Sequence, residues 1–243
     1  MELSGTLRRR APLALAAAGF LILAAARAAD PTPTATPTPA LTAEEALADA
    51  AQELAALSTA GFRMIDEMES GAKFFEMTLK EVEGVVETPA SFRMTVRLIS
   101  PALGFAGIEM LAVGESSYIK FSAEAPWVPL PLEQVRFNFG GIGVTLSELM
   151  SDVGNPAITG RESVDGVQTV RIDGDIVSED LSDLITSVDP GHPITLTMWL
   201  DEADHTLQRL RIDGKLYNDD APETTRLIII TDVNQPVDIQ LPG

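Results

Sequence analysis

The 243-residue chain has no cysteine. No disulfide framework is available, so burial alone has to stabilise whatever domain it forms. Histidine is scarce as well: only His192 and His205 occur. They share no H-E-x-x-H spacing, and their neighbours, Gly191 and Pro193 for one and Asp204 and Thr206 for the other, place both in turns as exposed residues. No Gly-x-Ser-x-Gly elbow is present, so a serine hydrolase lacks its nucleophile turn. Gly140-Gly141-Ile142-Gly143 precedes a helical stretch but lacks the Lys-Ser/Thr of a phosphate loop and the third glycine of a dinucleotide fingerprint, and reads as a flexible turn. Aromatic residues make up 5% of the chain, too few for the usual sugar platforms. Acidic clusters at Asp201, Glu202 and Asp204 and at Asn218, Asp219, Asp220 and Glu223 lack the Asp-x-Asp-x-Asp-Gly calcium spacing and read as solvated turns. These absences exclude the common catalytic constellations. The expectation is a non-enzyme with no metal and no cofactor.

Positive charge is also in short supply, with 17 basic residues against 36 acidic ones and a net charge of −19. That balance opposes nucleic acid as a partner, whose phosphates require Lys and Arg. It also opposes general adsorption to anionic headgroups, and suits solubility outside the cell. Four of the arginines fall within residues 1–28, with one glutamate, so the remainder of the chain carries roughly −22.

Those first 28 residues have the three parts of a secretory signal. Arg8, Arg9 and Arg10 lead into the apolar run Ala11–Ala26, which closes on Ala26-Arg27-Ala28. The expected boundaries are a signal peptide at 1–28, a linker at 29–41 and one domain at 42–243. The run is short for a membrane span, which needs about 20 apolar residues. An uncleaved signal anchor is the alternative. Either way the expected location is secreted or in the extracytoplasmic cell envelope. Asp30–Ala40 alternates Pro and Thr, which favours extended backbone and cannot bury a core.

The domain opens on a helix. Thr42 to Glu45 forms a capping box, followed by Leu47, Ala50, Ala51, Leu54 and Leu57 on one face, with Ser58 to Gly61 ending it. Period-two alternation then dominates. Apolar positions fall at Phe62, Met64 and Met68; Phe75, Met77 and Leu79; Phe92, Met94, Val96 and Leu98; Ile108, Met110 and Ala112; and Val135, Phe137 and Phe139. Later sets are Val170 and Ile172; Ile194, Leu196, Met198 and Leu200; Leu210 and Ile212; and the apolar run Leu227–Ile230. Turns are expected at Glu83-Gly84, Val113-Gly114, Asp165-Gly166 and Asp213-Gly214. A second capping box at Thr145 to Glu148 leads into Leu149, Met150 and Val153, and a third helix starts at Ser178 with Leu181, Leu184 and Ile185 apolar. The fold class is α+β: one large antiparallel sheet with one dry face, and helices as the available cover. Six of the eight methionines (Met64, Met68, Met77, Met94, Met110 and Met198) are assigned to that face, where a flexible, polarizable side chain suits variable apolar partners.

Three stretches then resemble one family. Gly160-Arg161-Glu162-Ser163-Val164-Asp165-Gly166-Val167-Gln168-Thr169 is similar to a "G-x-E-x-V-D-G-V-x-T" run of the LppX/LprG (LppX_LprAFG) lipoproteins. Val113-Gly114-Glu115-Ser116-Ser117-Tyr118 with Trp127 resembles a "v-g-x-x-x-Y … W" run, and Thr195-Leu196-Thr197-Met198-Trp199-Leu200-Asp201 resembles a "v-x-l-W-L-D" strand. The resemblance spans about residues 43 to 234. It implies a LolA/LppX-like half-barrel, a curved antiparallel sheet with helices on its concave apolar face. It further implies an apolar cavity that holds acyl chains of lipids or glycolipids for envelope lipid transport, with an envelope transport protein as partner. Members usually carry a lipid-modified cysteine after the signal, whereas this region reads Ala26-Arg27-Ala28-Ala29-Asp30. Membrane contact is therefore expected to be transient or through an uncleaved signal segment.

The alternation, and no motif, selects the candidate lipid-binding residues: Phe62, Met64, Phe75, Met77, Leu79, Phe92, Met94, Val96, Ile108, Met110, Leu149, Met150, Leu181, Leu184, Leu196 and Met198. The alternative function is an exported, non-enzymatic interaction or scaffold module with a filled core.

Overall fold

A computed structural model describes residues 41–74, 77–100, 104–131, 141–185 and 187–242. The chain from Ala40 to Gly243 is a compact unit in itself. Its elements, in order, are α1 (Ala43–Ala55), β1 (Thr59–Ile65), β2 (Lys73–Phe74), β3 (Met77–Glu87), β4 (Ser91–Ser100), β5 (Gly104–Val113), β6 (Ser116–Lys120) and β7 (Val128–Pro129). There follow α2 (Ile142–Asp152), β8 (Gly154–Val164), β9 (Val167–Val177), a four-residue 3-10 helix at Ser178–Leu181, β10 (Pro193–Asp201), β11 (Leu207–Asp213) and β12 (Thr225–Thr231).

The strands form one antiparallel sheet in the order β7-β6-β5-β4-β3-β1-β12-β11-β10-β9-β8, with β2 paired to β3. Two meanders, β3 to β7 and β8 to β12, meet where β1 sits between β3 and β12. β7 and β8 are the two edges, so the chain passes from one edge of the sheet to the other between them, and α2 lies on that passage. The long edge strand β8 is blunted by Pro156 and by two register shifts, which discourage strand addition.

Period-two patterning dictates which side is dry. One row runs Ile158–Ile172–Met198–Leu210–Ile228–Met64–Val82–Val96–Ile108, each residue directly opposite the next. All nine are apolar, and the row spans eight strand spacings, roughly 38 Å. The opposite face carries the charges. Arg63 and Arg97 both engage Glu81 there, Arg171 engages Asp173, and Arg211 engages Asp213. A small apolar patch on that outer face joins Val164, Trp199 and Leu227 to Ile65 and Ile229.

α1 begins as the capping box requires. The Thr42 side chain accepts from the Glu45 backbone N–H, and the Glu45 carboxylate accepts from the Thr42 N–H at 3.0 Å. It ends at Ala55, before the expected terminator, because Thr59 to Gly61 already pair with β3. The expected second capping box does not form. α2 starts four residues earlier, with Gly141 in place of Thr145 as N-cap, and Thr145 lies inside the helix, its N–H bonded to the Gly141 carbonyl. Burial of Ile142 and close contact with α1 decide this boundary. A Cβ on Gly143 would stand 2.5 Å from the Leu54 carbonyl oxygen and 3.0 Å from Leu57 Cβ. The third helix is reduced to the 3-10 turn, though Leu181, Leu184 and Ile185 are buried as expected.

Two further expectations are corrected. Glu83-Gly84 is no turn: Gly84 is mid-strand, between Phe62 and Met94. A Cβ there would meet the Arg93 carbonyl oxygen at 2.5 Å and Met94 Cβ at 2.8 Å, so glycine serves close packing on the sheet. Met68 is not on the dry face. β1 ends at Ile65, and Met68 stands 66% exposed in the turn that follows. The turns at Gly114, Asp165-Gly166 and Asp213-Gly214 form as expected, with Asp165 and these three glycines at positive φ. Val135, Phe137 and Phe139 lie outside the described residues.

Gly143 yields a test in which two effects oppose. Gly143→Ala gains about 1 kcal/mol in helix propensity but forces α1 and α2 apart, at a cost of about 1–3 kcal/mol. The expected outcome is a net loss of stability, read as a lower urea midpoint at unchanged slope. A more stable variant would show that the two helices are not in close contact.

Candidate functional site

The dry face and its cover form one cluster. From the sheet it takes Phe62, Met64, Leu79, Val82, Phe92, Met94, Val96, Met110, Leu196 and Met198. From α1 it takes Leu47, Ala50 and Leu54, from α2 Leu146, Leu149 and Met150, from the 3-10 helix Leu181, and from the turn after it Leu184. Of the residues selected by alternation, Met77 and Ile108 are partly buried and pack against this cluster. Phe75 lies outside the described residues. The structure thus brings the rest of the selected residues into one buried apolar body.

Within it the methionines are not scattered. Met94 is directly opposite Met110, and the row continues through Gly84 to Phe62 on one side and to Ile119 on the other. Gly84 leaves the Met94 side chain without a Cβ neighbour on β3, so the most adaptable side chains adjoin the least bulky position. On the other half of the sheet, α2 ends against β9: a Cβ on Gly174 would stand 2.3 Å from the Val153 side chain. Between α1 and the strands β11 and β12 there is a narrow slit lined by Leu54, Leu57, Leu207, Ile230 and Val233, with Glu53 and Thr206 at its rim. Its volume is ≈ 20 Å³, room for about one water and not for an acyl chain.

One charged pair enters the dry face, and the sequence reading missed it. Arg226 opposes Ile212, so its side chain shares the inner side of the sheet, 2% exposed. It bonds Asp220 at 2.8 Å and lies 5.8 Å from the Tyr217 ring centroid. Asp220 also accepts from the backbone N–H groups of Leu216 (3.0 Å) and Tyr217 (3.2 Å), so it is a buried anchor and not the solvated turn residue expected. The only available signal was the arginine directly ahead of the apolar run that begins at Leu227. Asp219, its neighbour, pairs with Lys73 at 2.7 Å.

Other carboxylates close turns. Asp66 accepts from the Ser70 N–H (2.9 Å) and hydroxyl (2.8 Å) and from the N–H groups of Gly71 (2.7 Å) and Ala72 (3.0 Å). Desolvation by burial pushes its pKa up, but the bonds from Ser70, Ala72 and Gly71 together outweigh that and hold it below the ordinary 3.8. Asp204 is held low by backbone and side-chain bonds from Thr206. Among the described residues no group of three or more His, Asp or Glu is arranged to hold a metal ion.

The histidines both fall in turns, but neither is freely exposed. His205 lies in the β10–β11 hairpin, where its ring is 15% exposed and its Nδ1 is 2.9 Å from Asp49 of α1, tying the covering helix to the sheet. His192 Nε2 is buried with no hydrogen-bond partner. The turn chemistry was legible in the sequence; the approach of α1 to the hairpin was not.

Two measurements check these electrostatics. Asp66 has a lowered folded pKa, so its contribution is fully present above the unfolded value near 3.9 and is lost as pH falls through the folded one. Asp66→Ala is expected to cost about 2 kcal/mol at neutral pH, with the gap to wild type narrowing as pH falls below the unfolded value and through the lowered folded one. A gap that does not change with pH would show that the carboxylate charge plays no part. Arg226→Met leaves Asp220 buried without its cation and is expected to destabilise by about 3–5 kcal/mol in urea unfolding. A loss below about 1 kcal/mol, the range of a surface pair, would contradict the buried geometry.

Comparison with known proteins agrees with this architecture. The crystal structure of LprF from Mycobacterium bovis superposes with a TM-score of 0.64 at 18% identity, covering 83% of this chain and 97% of that one. LppX from Mycobacterium tuberculosis gives 0.56 at 18% identity, covering 81% and 97%. These likenesses establish the fold. In sequence, the lipoarabinomannan carrier protein LprG of Mycolicibacterium smegmatis is 25% identical over 68 residues, which span 28% of this chain and 29% of that protein's length. The family model for LppX_LprAFG lipoproteins matches residues 42–239, and the chain belongs to that family.

Proposed function

We propose that this chain is an exported lipid carrier, which takes acyl chains of lipids or glycolipids between the dry face of its sheet and the covering helices. The observation that carries this reading is the nine-strand apolar row, flanked by the Met94–Met110 pair and covered by two helices only 13 and 11 residues long. Its length suits an extended chain molecule, and methionines let the lining adapt to different chains. Membership in the LppX_LprAFG family supports it, as does the LprG relative described as a lipoarabinomannan carrier.

The chemistry is solvation without catalysis. Each acyl CH₂ removed from water contributes about 0.8 kcal/mol, so fourteen give on the order of 11 kcal/mol gross, before ordering costs. The slit between α1 and β11–β12 holds about one water, so loading through it requires α1 to move off the sheet. In this reading residues 1–28 direct export, 29–41 form a spacer, and 42–243 form the carrier domain in the cell envelope or outside it. Among the described residues no helix is long and apolar enough to cross a membrane.

A second reading, an exported interaction module with a filled core, is favoured by the dense packing over Met94, Met110 and Met198. One experiment separates the two. The protein is purified from a membrane-containing host, extracted with organic solvent and analysed by mass spectrometry, with uptake of a fluorescent fatty acyl probe measured in parallel. The carrier reading expects co-purified lipid and saturable probe uptake. Neither lipid nor uptake overturns it in favour of the module.

A further inference from the structure

We infer that a cleft on the charged outer face, where β9, β10, β11 and β12 come to one end of the sheet, is a binding site for a linear aliphatic polyamine. The inference is independent of the carrier reading, since the strand residues that floor the cleft point away from the dry face and its helices.

Sheet register builds the floor. Asp175, Thr195, Asp213 and Thr225 stand directly opposite one another on four neighbouring strands, on the same face as Asp173 and Arg211, and all four line the cleft. Asp175 and Asp213 are two strand spacings apart, about 10 Å. The connection from β11 to β12 brings Pro222 and Glu223 to the cleft, and Pro193 adds further apolar wall. That connection is held in place at Gly214, which has a φ of +135° and gives its N–H to the Thr224 carbonyl at 2.8 Å. The cleft has a volume of about 380 Å³, within the range of small-molecule sites.

The lining selects the chemistry of the ligand. It includes three carboxylates, Asp175, Asp213 and Glu223, and among the described residues no lysine or arginine. Arg211 gives its Nε–H to Asp213 at 3.0 Å, and Lys215, beside Gly214, turns its ammonium to the Asn218 carbonyl at 2.6 Å. Negative charge therefore remains in excess, which repels anions. A second observation lies at the floor. Thr225 is 8% exposed, its register turns it to the outer side, and its hydroxyl has no hydrogen-bond partner; the Thr224 hydroxyl beside it has none either. A buried hydroxyl left unpaired is costly, and an N–H donor from a ligand removes that cost. Asp175 and Asp213 are too far apart to share a metal ion, whose oxygen ligands stand within about 2.6 Å, and no group of carboxylates among the described residues is arranged to hold one. No aromatic ring lines the cleft as a platform for a sugar. An ammonium group is both positive and donor-only, as carboxylates and hydroxyls here require. Two of them on one aliphatic chain reach two carboxylates on different strands, while the methylenes between lie on the proline walls.

The test titrates spermidine into residues 40–243, the compact unit, by isothermal titration calorimetry at physiological salt, which screens diffuse attraction to an acidic chain. Expected results are saturable, one-site binding of spermidine and no binding of calcium or maltose at the same concentration. Asp175→Asn/Glu223→Gln is expected to weaken binding by about tenfold or more while keeping the wild-type melting temperature, both residues being exposed. Glu87→Gln/Glu115→Gln removes the same charge at the other end of the strands and is expected to leave binding unchanged. Thr225→Val deletes the unpartnered hydroxyl at nearly constant shape and is expected to weaken binding severalfold with no loss of melting temperature. Binding that does not saturate, calcium or maltose bound in place of spermidine, or equal effects from the two double variants would each overturn the polyamine site. So would wild-type affinity in Asp175→Asn/Glu223→Gln or in Thr225→Val. Uptake of the acyl probe is read separately, and its loss in the wild type would overturn the carrier reading instead.

Discussion

The apolar row from Ile158 to Ile108 has to stay out of water, and most of the architecture answers to that requirement. Burying nine such side chains is worth on the order of 20 kcal/mol gross, far more than any ion pair in the molecule. β1 and β12, from opposite ends of the domain, pair at the centre of the sheet and join two meanders into one surface. α1 and α2 then cover it, pressed together closely enough that Gly143 has no space for a methyl group. Without cysteine, no cross-link shares this task.

Close approach is concentrated at glycines. Gly84 lets Phe62 and Met94 adjoin across β3, and Gly174 lets Val153 of the α2 terminus contact β9. Gly84 tightens the sheet itself and Gly174 the contact of the α2 terminus with it, and the two helices are short. Such a cover has few turns to lose when it lifts. Both observations bear on the proposed carrier role: a tight resting state, and a lid with little helical structure of its own.

Charge is distributed by the same sheet geometry. Arginines on the outer face pair with carboxylates across strands, as Arg63 and Arg97 do with Glu81, and along them, as in Arg171–Asp173 and Arg211–Asp213, so the solvated side is a lattice of opposite charges. The exception is Arg226, which alternation turns inward and which survives there through Asp220 and Tyr217. That pair fastens the segment Leu216–Asp220 against the inner side of the sheet. Sheet register therefore sets the dry face and also turns this one buried arginine onto it.

Local chemistry alone determined the α1 capping box, the strand alternation and therefore the inner and outer sides of most strands, and the glycine turns at 114, 166 and 214. Each depends on contacts within a few residues or on a period that every strand repeats. The family resemblance was legible from the residues around Gly160–Thr169 and Thr195–Asp201. What only the tertiary structure decided involves groups distant in sequence. Gly84 looked like a turn because its purpose, making room beside Met94, lies on another strand. Thr145 looked like a cap because the pull of α1 on α2 is invisible to local spacing. Met68 continued an alternation that β1 abandons at Ile65, where Asp66 takes up the turn's N–H groups instead. Asp220 and His205 looked solvated because their partners, Arg226 and Asp49, come to them only through the fold.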